Sequence, residues 1–127
     1  MRWIEFAFLA IGAVLGVFLR YKLCETSLTI AGFSINVLIV NVTGSLLLGI
    51  FSVLTVVLNL DVRYTLFGAI GFCGSFTTMS SFALETSTLI DSNRFNHVLL
   101  NILANVGLSI GAIMIGRAIG TALLGPK

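Results

Sequence analysis

Charge is what this chain has least of. Only 9% of its 127 residues are charged and 57% are hydrophobic, whereas about a quarter of an ordinary soluble domain is charged. That balance excludes a soluble globular domain and marks an integral membrane protein. Histidine occurs once, at His97, beside charges in a connection where it is expected to face water. Cysteine occurs twice, at Cys24 and Cys73, without the spacing of a metal site, so a structural role is expected for both. No nucleophile, base and metal ligand stand within reach of one another. The chain is therefore not read as an enzyme, and nucleic acid is not expected as a partner.

What is present is apolar sequence in four blocks. A spanning helix needs about 20 mainly apolar residues, and the charges leave four such windows, bracketed by Glu5 and Arg20, Glu25 and Asp61, Arg63 and Glu85, and Arg94 and Arg117. The pattern predicts helices from about Trp3 to Lys22, Ser34 to Asn59, Tyr64 to Ile90 and Asn96 to Leu124, forming one transmembrane domain over residues 1–127. Met1 and Arg2 before an apolar run resemble the start of a signal peptide. The run lacks a small-residue cleavage site and is followed by Arg20 and Lys22, so it is kept as the first helix. The expected connections are a polar link at Glu25 to Gly32 with a glycine stop, Asn59 to Arg63, and Asp91 to His97. Gly125-Pro126 ends the last helix.

The third block, Gly68 to Ile90, is unlike a lipid-facing helix. Gly68, Gly71 and Gly74 lead into Ser75, Thr77, Thr78, Ser80 and Ser81. Irregular or polar backbone is tolerated at membrane depth only when buried in protein or lining a wet cavity. The expectation is a helix interrupted at the bilayer midplane, with backbone carbonyls freed to hold an ion and hydroxyls near enough to contact one. The alternative is that these small residues merely let two helices approach.

The other helices carry their own polar positions. In the first, Gly12 and Gly16 form a small-residue face, and Arg20 follows one turn later. Arg20 either snorkels to lipid headgroups or draws anions to a water-filled mouth. In the second, Asn41 lies deep in a charge-free run, where its amide must find a partner or water. Its NH₂ is a neutral donor suited to a small anion, and an interhelical hydrogen bond is the competing reading. In the fourth, Asn101, Asn105 and Ser109 recur every four residues on one face. They form either a polar track or, with Gly107 and Gly111, a packing seam. Glu85 is expected near the interface as a hydrogen-bonded or solvated carboxylate.

Orientation follows the Lys/Arg excess on the cytoplasmic side. Here Arg2, Arg63, Arg117 and Lys127 face Arg20, Lys22 and Arg94 across the membrane, which is almost no excess. Insertion both ways is expected, giving an antiparallel two-fold homodimer. A single orientation set by the first helix is the alternative.

The segments GAVLGVFLRY at Gly12 to Tyr21, VNVTGSLLLG at Val40 to Gly49 and GFCGSFTTMSSFALE at Gly71 to Glu85 resemble the CrcB/Fluc family of fluoride channels across essentially the whole chain. The resemblance implies a dual-topology homodimer in the cell inner (plasma) membrane, with two pores, a structural sodium ion at the dimer centre, and passive fluoride efflux. By position it implies that backbone carbonyls of Gly74 and Thr77 hold the sodium. It implies a fluoride pathway along Asn41, Met79, Ser80, Ser81, Phe82, Asn101, Asn105 and Ser109, with Arg20 at the vestibule. Met79 stands where the family has the first phenylalanine of its pore pair, and Val37 where a threonine can contribute. A small proton-coupled multidrug exporter also uses four helices and dual topology, but it needs a buried carboxylate, for which Glu85 is the one remaining candidate.

Overall fold

The computed structural model describes residues 2–26, 28–30 and 33–125, with Phe33 described by its backbone alone. Four helices are long and apolar enough to span a membrane, Trp3–Glu25, Asn36–Val57, Val62–Asp91 and Phe95–Leu124. Among the described residues the protein is all-helical apart from one hairpin of two-residue strands. In it Thr29–Ile30 pairs antiparallel with Phe33–Ser34, Thr29 opposite Ser34 and Ile30 opposite Phe33. The hairpin begins within the polar link expected between the first two spans; the glycine stop expected at Gly32 lies outside the described residues, as does Pro126.

The ends of the spans follow local chemistry. Asn59 and Asn93 both take positive φ, 46° and 56°, a conformation asparagine tolerates better than most residues. Each closes its helix with the paired bonds of a Schellman cap: Asn59 N–H reaches the Val56 carbonyl and Leu60 N–H that of Thr55, while Asn93 N–H reaches Ile90 and Arg94 N–H reaches Leu89. Asp61 then caps the third span by accepting from the Arg63 N–H at 2.9 Å, and its carboxylate pairs with the Arg63 guanidinium at 2.8 Å. Those hydrogen bonds hold the Asp61 carboxyl below the ordinary carboxylate range. The third connection is shorter than expected. Helix resumes at Phe95, so His97 sits half-buried in the first turn and not in a water-facing loop, and its N–H bonds the Arg94 carbonyl.

Close backbone approach organises the packing. A Cβ at Gly12 or Gly16 would collide with the carbonyl oxygens of Phe67 and Phe72, so the first span lies directly on the first half of the third. A Cβ at Gly49 or Gly116 would strike Ile113 or Leu46 backbone oxygen, which brings the second span equally close to the last half of the fourth. Gly107 and Gly111 behave differently: outside their own helix turn, nothing among the described residues lies within 4 Å of a Cβ placed there. The packing seam considered for them is not made among those residues. Two stretches, Leu66–Cys73 and Ala104–Leu108, wind as wider π-helix, a geometry found mostly at functional sites.

Candidate functional site

The third span changes character at Thr77 and Thr78. Between the helical segments Gly74–Phe76 and Met79–Asp91 these two residues are extended, with φ/ψ of −73°/156° and −147°/110°. In a continuous helix the Thr78 N–H would bond the Gly74 carbonyl, and the Ser81 N–H that of Thr77. Instead Thr78 N–H donates to Asn41 Oδ1 at 2.8 Å and Ser81 N–H to Thr78 Oγ1 at 3.2 Å. Two side chains stand in for two backbone oxygens, releasing Gly74 and Thr77 from those helical bonds. The Thr77 carbonyl is approached by Arg20 Nη1 at 3.5 Å. Gly74 is exposed, and a Cβ there would meet only the Ala69 oxygen, at 3.8 Å. Hard oxygen donors of this kind suit a small alkali cation better than a transition metal.

Beside this interruption lies a groove of about 330 Å³, whose walls include Asn41, Thr77, Thr78, Met79, Phe82, Asn105 and Ser109. None of its lining residues is charged. Asn41, Met79, Phe82, Asn105 and Ser109, five positions predicted from sequence on three different spans, thus meet at one place. Phe82 is buried at 8% exposure, while Met79, at 73%, stands on the outer side of the same helix turn. The Ser109 hydroxyl is buried without a hydrogen-bond partner, the one such side-chain atom among the described residues.

The asparagines are not idle donors. Asn41 Nδ2 donates to the Thr78 carbonyl at 3.3 Å and to Asn105 Oδ1 at 3.0 Å, so both of its amide hydrogens have partners. Asn105 Nδ2 donates to the Asn101 Oδ1 at 2.7 Å and to its carbonyl at 3.2 Å. Asn101, fully enclosed, donates to Thr86 Oγ1 at 3.1 Å. Asn41 thus bonds groups on two other spans, and Asn101 reaches the third span through Thr86.

Three predicted positions do not line the groove. Asn101 lies behind Asn105. Ser81 accepts from the Thr78 hydroxyl at 3.0 Å and Ser80 lies 3.2 Å from it, so both belong to the cap of the resumed helix. Val37 is buried in the core. Glu85 is half-buried, with its carboxylate beside the Ser34 hydroxyl. Sequence reasoning missed Thr78 as the hub of the interruption, Thr86 as the end of the amide chain, and Ser45 on the groove wall. For Thr78 the trace in the sequence was its residue type alone, threonine being favoured at a helix N-cap. For Thr86 there was none.

The model of the family described as CrcB-like protein, Camphor Resistance (CrcB), matches residues 7–117. The chain belongs to the CrcB family. It is 53% identical over 124 residues to the fluoride-specific ion channel FluC of Nitrosopumilus maritimus (strain SCM1), covering 98% of each chain. It is 37% identical over 122 residues to the fluoride-specific ion channel FluC of Sulfurihydrogenibium sp. (strain YO3AOP1), covering 94% of this chain and 98% of that one. With the protein of the same name from Methanococcus maripaludis it shares 34% identity over 113 residues, 89% of this chain and 93% of the other.

Proposed function

We propose that the chain is a passive fluoride channel, working as an antiparallel dual-topology homodimer that exports fluoride across the inner (plasma) membrane. The observation that carries the reading is the uncharged groove in which Asn41, Phe82, Asn105 and Ser109 meet beside the extended Thr77–Thr78 backbone. Its family relatives, named fluoride-specific ion channels, give the anion. Fluoride is small and strongly hydrated, so a pore must replace its water with neutral hydrogen-bond donors that release it again. Ser109 brings an uncommitted hydroxyl, and Phe82 brings a ring whose edge is positive. Met79 flanks the same turn and fills space with a flexible, polarizable end. Ser80, Ser81 and Asn101 support this wall from behind, and Arg20 holds positive charge at its mouth.

A structural sodium ion fits the same reading. The carbonyls of Gly74 and Thr77 would hold it, and a second antiparallel chain at this exposed turn would double the oxygens. Sodium would supply a fixed positive charge to offset carbonyl dipoles brought face to face. The break then lies at the bilayer midplane, where irregular backbone needs protein around it.

Fluoride release from liposomes containing the purified protein tests the proposal. Release of fluoride but not chloride, with no proton gradient, is the expected result. Flux that requires a proton gradient would instead favour the exporter.

A further inference from the structure

The amide chain does not end at Asn101; it returns to the helix from which it started. From the Thr78 N–H the bonds run through Asn41, Asn105 and Asn101 to Thr86 Oγ1, and the Thr86 hydroxyl donates to the Phe82 carbonyl at 2.7 Å. Phe82 and Thr78 lie one helical turn apart, so the path closes into a ring. Three spans contribute to it.

Backbone groups fix the direction of this ring at both ends. An N–H can only donate, so Thr78 forces Asn41 to present Oδ1, and the Asn41 Nδ2 must point onward. A carbonyl can only accept, so Phe82 takes the Thr86 hydroxyl hydrogen, leaving Thr86 Oγ1 to accept from Asn101 Nδ2. The two ends independently demand the same sense, and the Asn105 amide between them satisfies both. Turning any one amide over would set donor against donor or acceptor against acceptor inside a largely buried wall, where unmatched polar groups are expensive. Asn101 is wholly enclosed, and Asn105 and Thr78 are nearly so.

We infer that Thr86 and Asn101 are positioning residues which close a hydrogen-bonded ring and thereby set, from the side away from the groove, the orientation of the Asn41 amide and the seat of Phe82. Neither need touch the permeating ion. The ring explains why Asn101 is amidic yet enclosed, and why Thr86 bonds back to its own helix while also accepting from another span. The inference deepens the channel reading and depends on it only for the flux measurement.

The test is nuclear magnetic resonance of the side-chain amides of the full-length protein in nanodiscs, alongside liposome flux. In the parent, the Asn41, Asn105 and Asn101 side-chain amides are expected to exchange with deuterated water as one slow set. Thr86→Val keeps shape and removes the hydroxyl. It should shift the Asn41 amide, three links away and with no contact to residue 86, speed its exchange by about tenfold, and lower fluoride flux by a similar factor. Thr86→Ser restores the hydroxyl and should return all three to parent values. Asn41 resonances unmoved in Thr86→Val while those of Asn101 shift would overturn the ring. Exchange rates of the three parent amides that differ by more than about tenfold would do the same without any variant. A parent that conducts no fluoride but holds its amides as one set would refute the channel and leave the ring standing.

Discussion

Asn36 and Asn41 lie on the same helix, five positions apart, and do nearly the same chemistry to different ends. Asn36 is buried and donates to the carbonyls of Leu23 and Thr26 while accepting from the Leu28 N–H at 2.9 Å. Asn41 donates to the Thr78 carbonyl and accepts from the Thr78 N–H. Each asparagine stands in for a peptide group where the main chain has left regular structure. Asn36 stitches a connection together and is only 6% exposed. Asn41 has the groove beside it, and its second hydrogen goes to Asn105 across that wall. A buried amide is therefore a staple by default, and becomes part of a site only where the space next to it is kept open.

Substitutions can break or sharpen that contrast. The largest effect is expected for Asn41→Asp, which keeps an acceptor for the Thr78 N–H but places a negative charge in the groove. Repulsion of several kcal/mol at close range should lower fluoride flux by about a hundredfold or more, compared per recovered dimer on gel filtration because the second carboxylate oxygen also faces the Thr78 carbonyl and Asn105 Oδ1. Normal flux in a dimeric variant would make Asn41 a staple like Asn36. Phe82→Ile comes next: an aromatic edge contributes about 1 kcal/mol, so a loss of roughly fivefold in flux is expected, again at equal dimer recovery. Asn36→Ala should do the reverse. It removes three buried hydrogen bonds to backbone and should cost about 1–3 kcal/mol of stability, seen as a lower thermal midpoint in detergent, while flux per recovered protein stays near that of the parent. The smallest effect is assigned to Met79→Phe, an apolar exchange at a side chain that stands largely exposed, where flux should change by no more than about threefold. If Met79→Phe lowers flux more than Phe82→Ile does, the two residues have been given each other's roles.

The four spans were legible because charge marks their ends: Glu25, Asp61, Arg63 and Arg94 all fall at or near an observed boundary. Asn41, Asn105 and Ser109 were legible because polar groups in apolar runs need a partner, whereas Phe82 was reached only through the family resemblance. Three features left no such trace. A pairing of Thr29–Ile30 with Phe33–Ser34 is too short to build an alternating pattern. The π-helical turns at Leu66–Cys73 and Ala104–Leu108 are set by which carbonyl each N–H reaches, and side-chain type hardly records that choice. Which way an asparagine points depends on groups distant in sequence: Asn41 is 37 residues from Thr78 and 64 from Asn105. Composition can place such an amide in the membrane but cannot say whom it will bond.

The capped turn between the second and third spans bears on how the chain enters a membrane in the first place. Asn59 and Leu60 find their acceptors within the helix just completed, and Asp61 and Arg63 cancel each other's charge. A nascent helical pair with such a tip carries few naked amides and no net charge at its leading point. Every unpaired polar group dragged through hydrocarbon costs several kcal/mol, so the tip lowers the toll of crossing in either direction. What the turn contributes to biogenesis is a low desolvation cost, since its amides and its charges are already partnered within the hairpin tip.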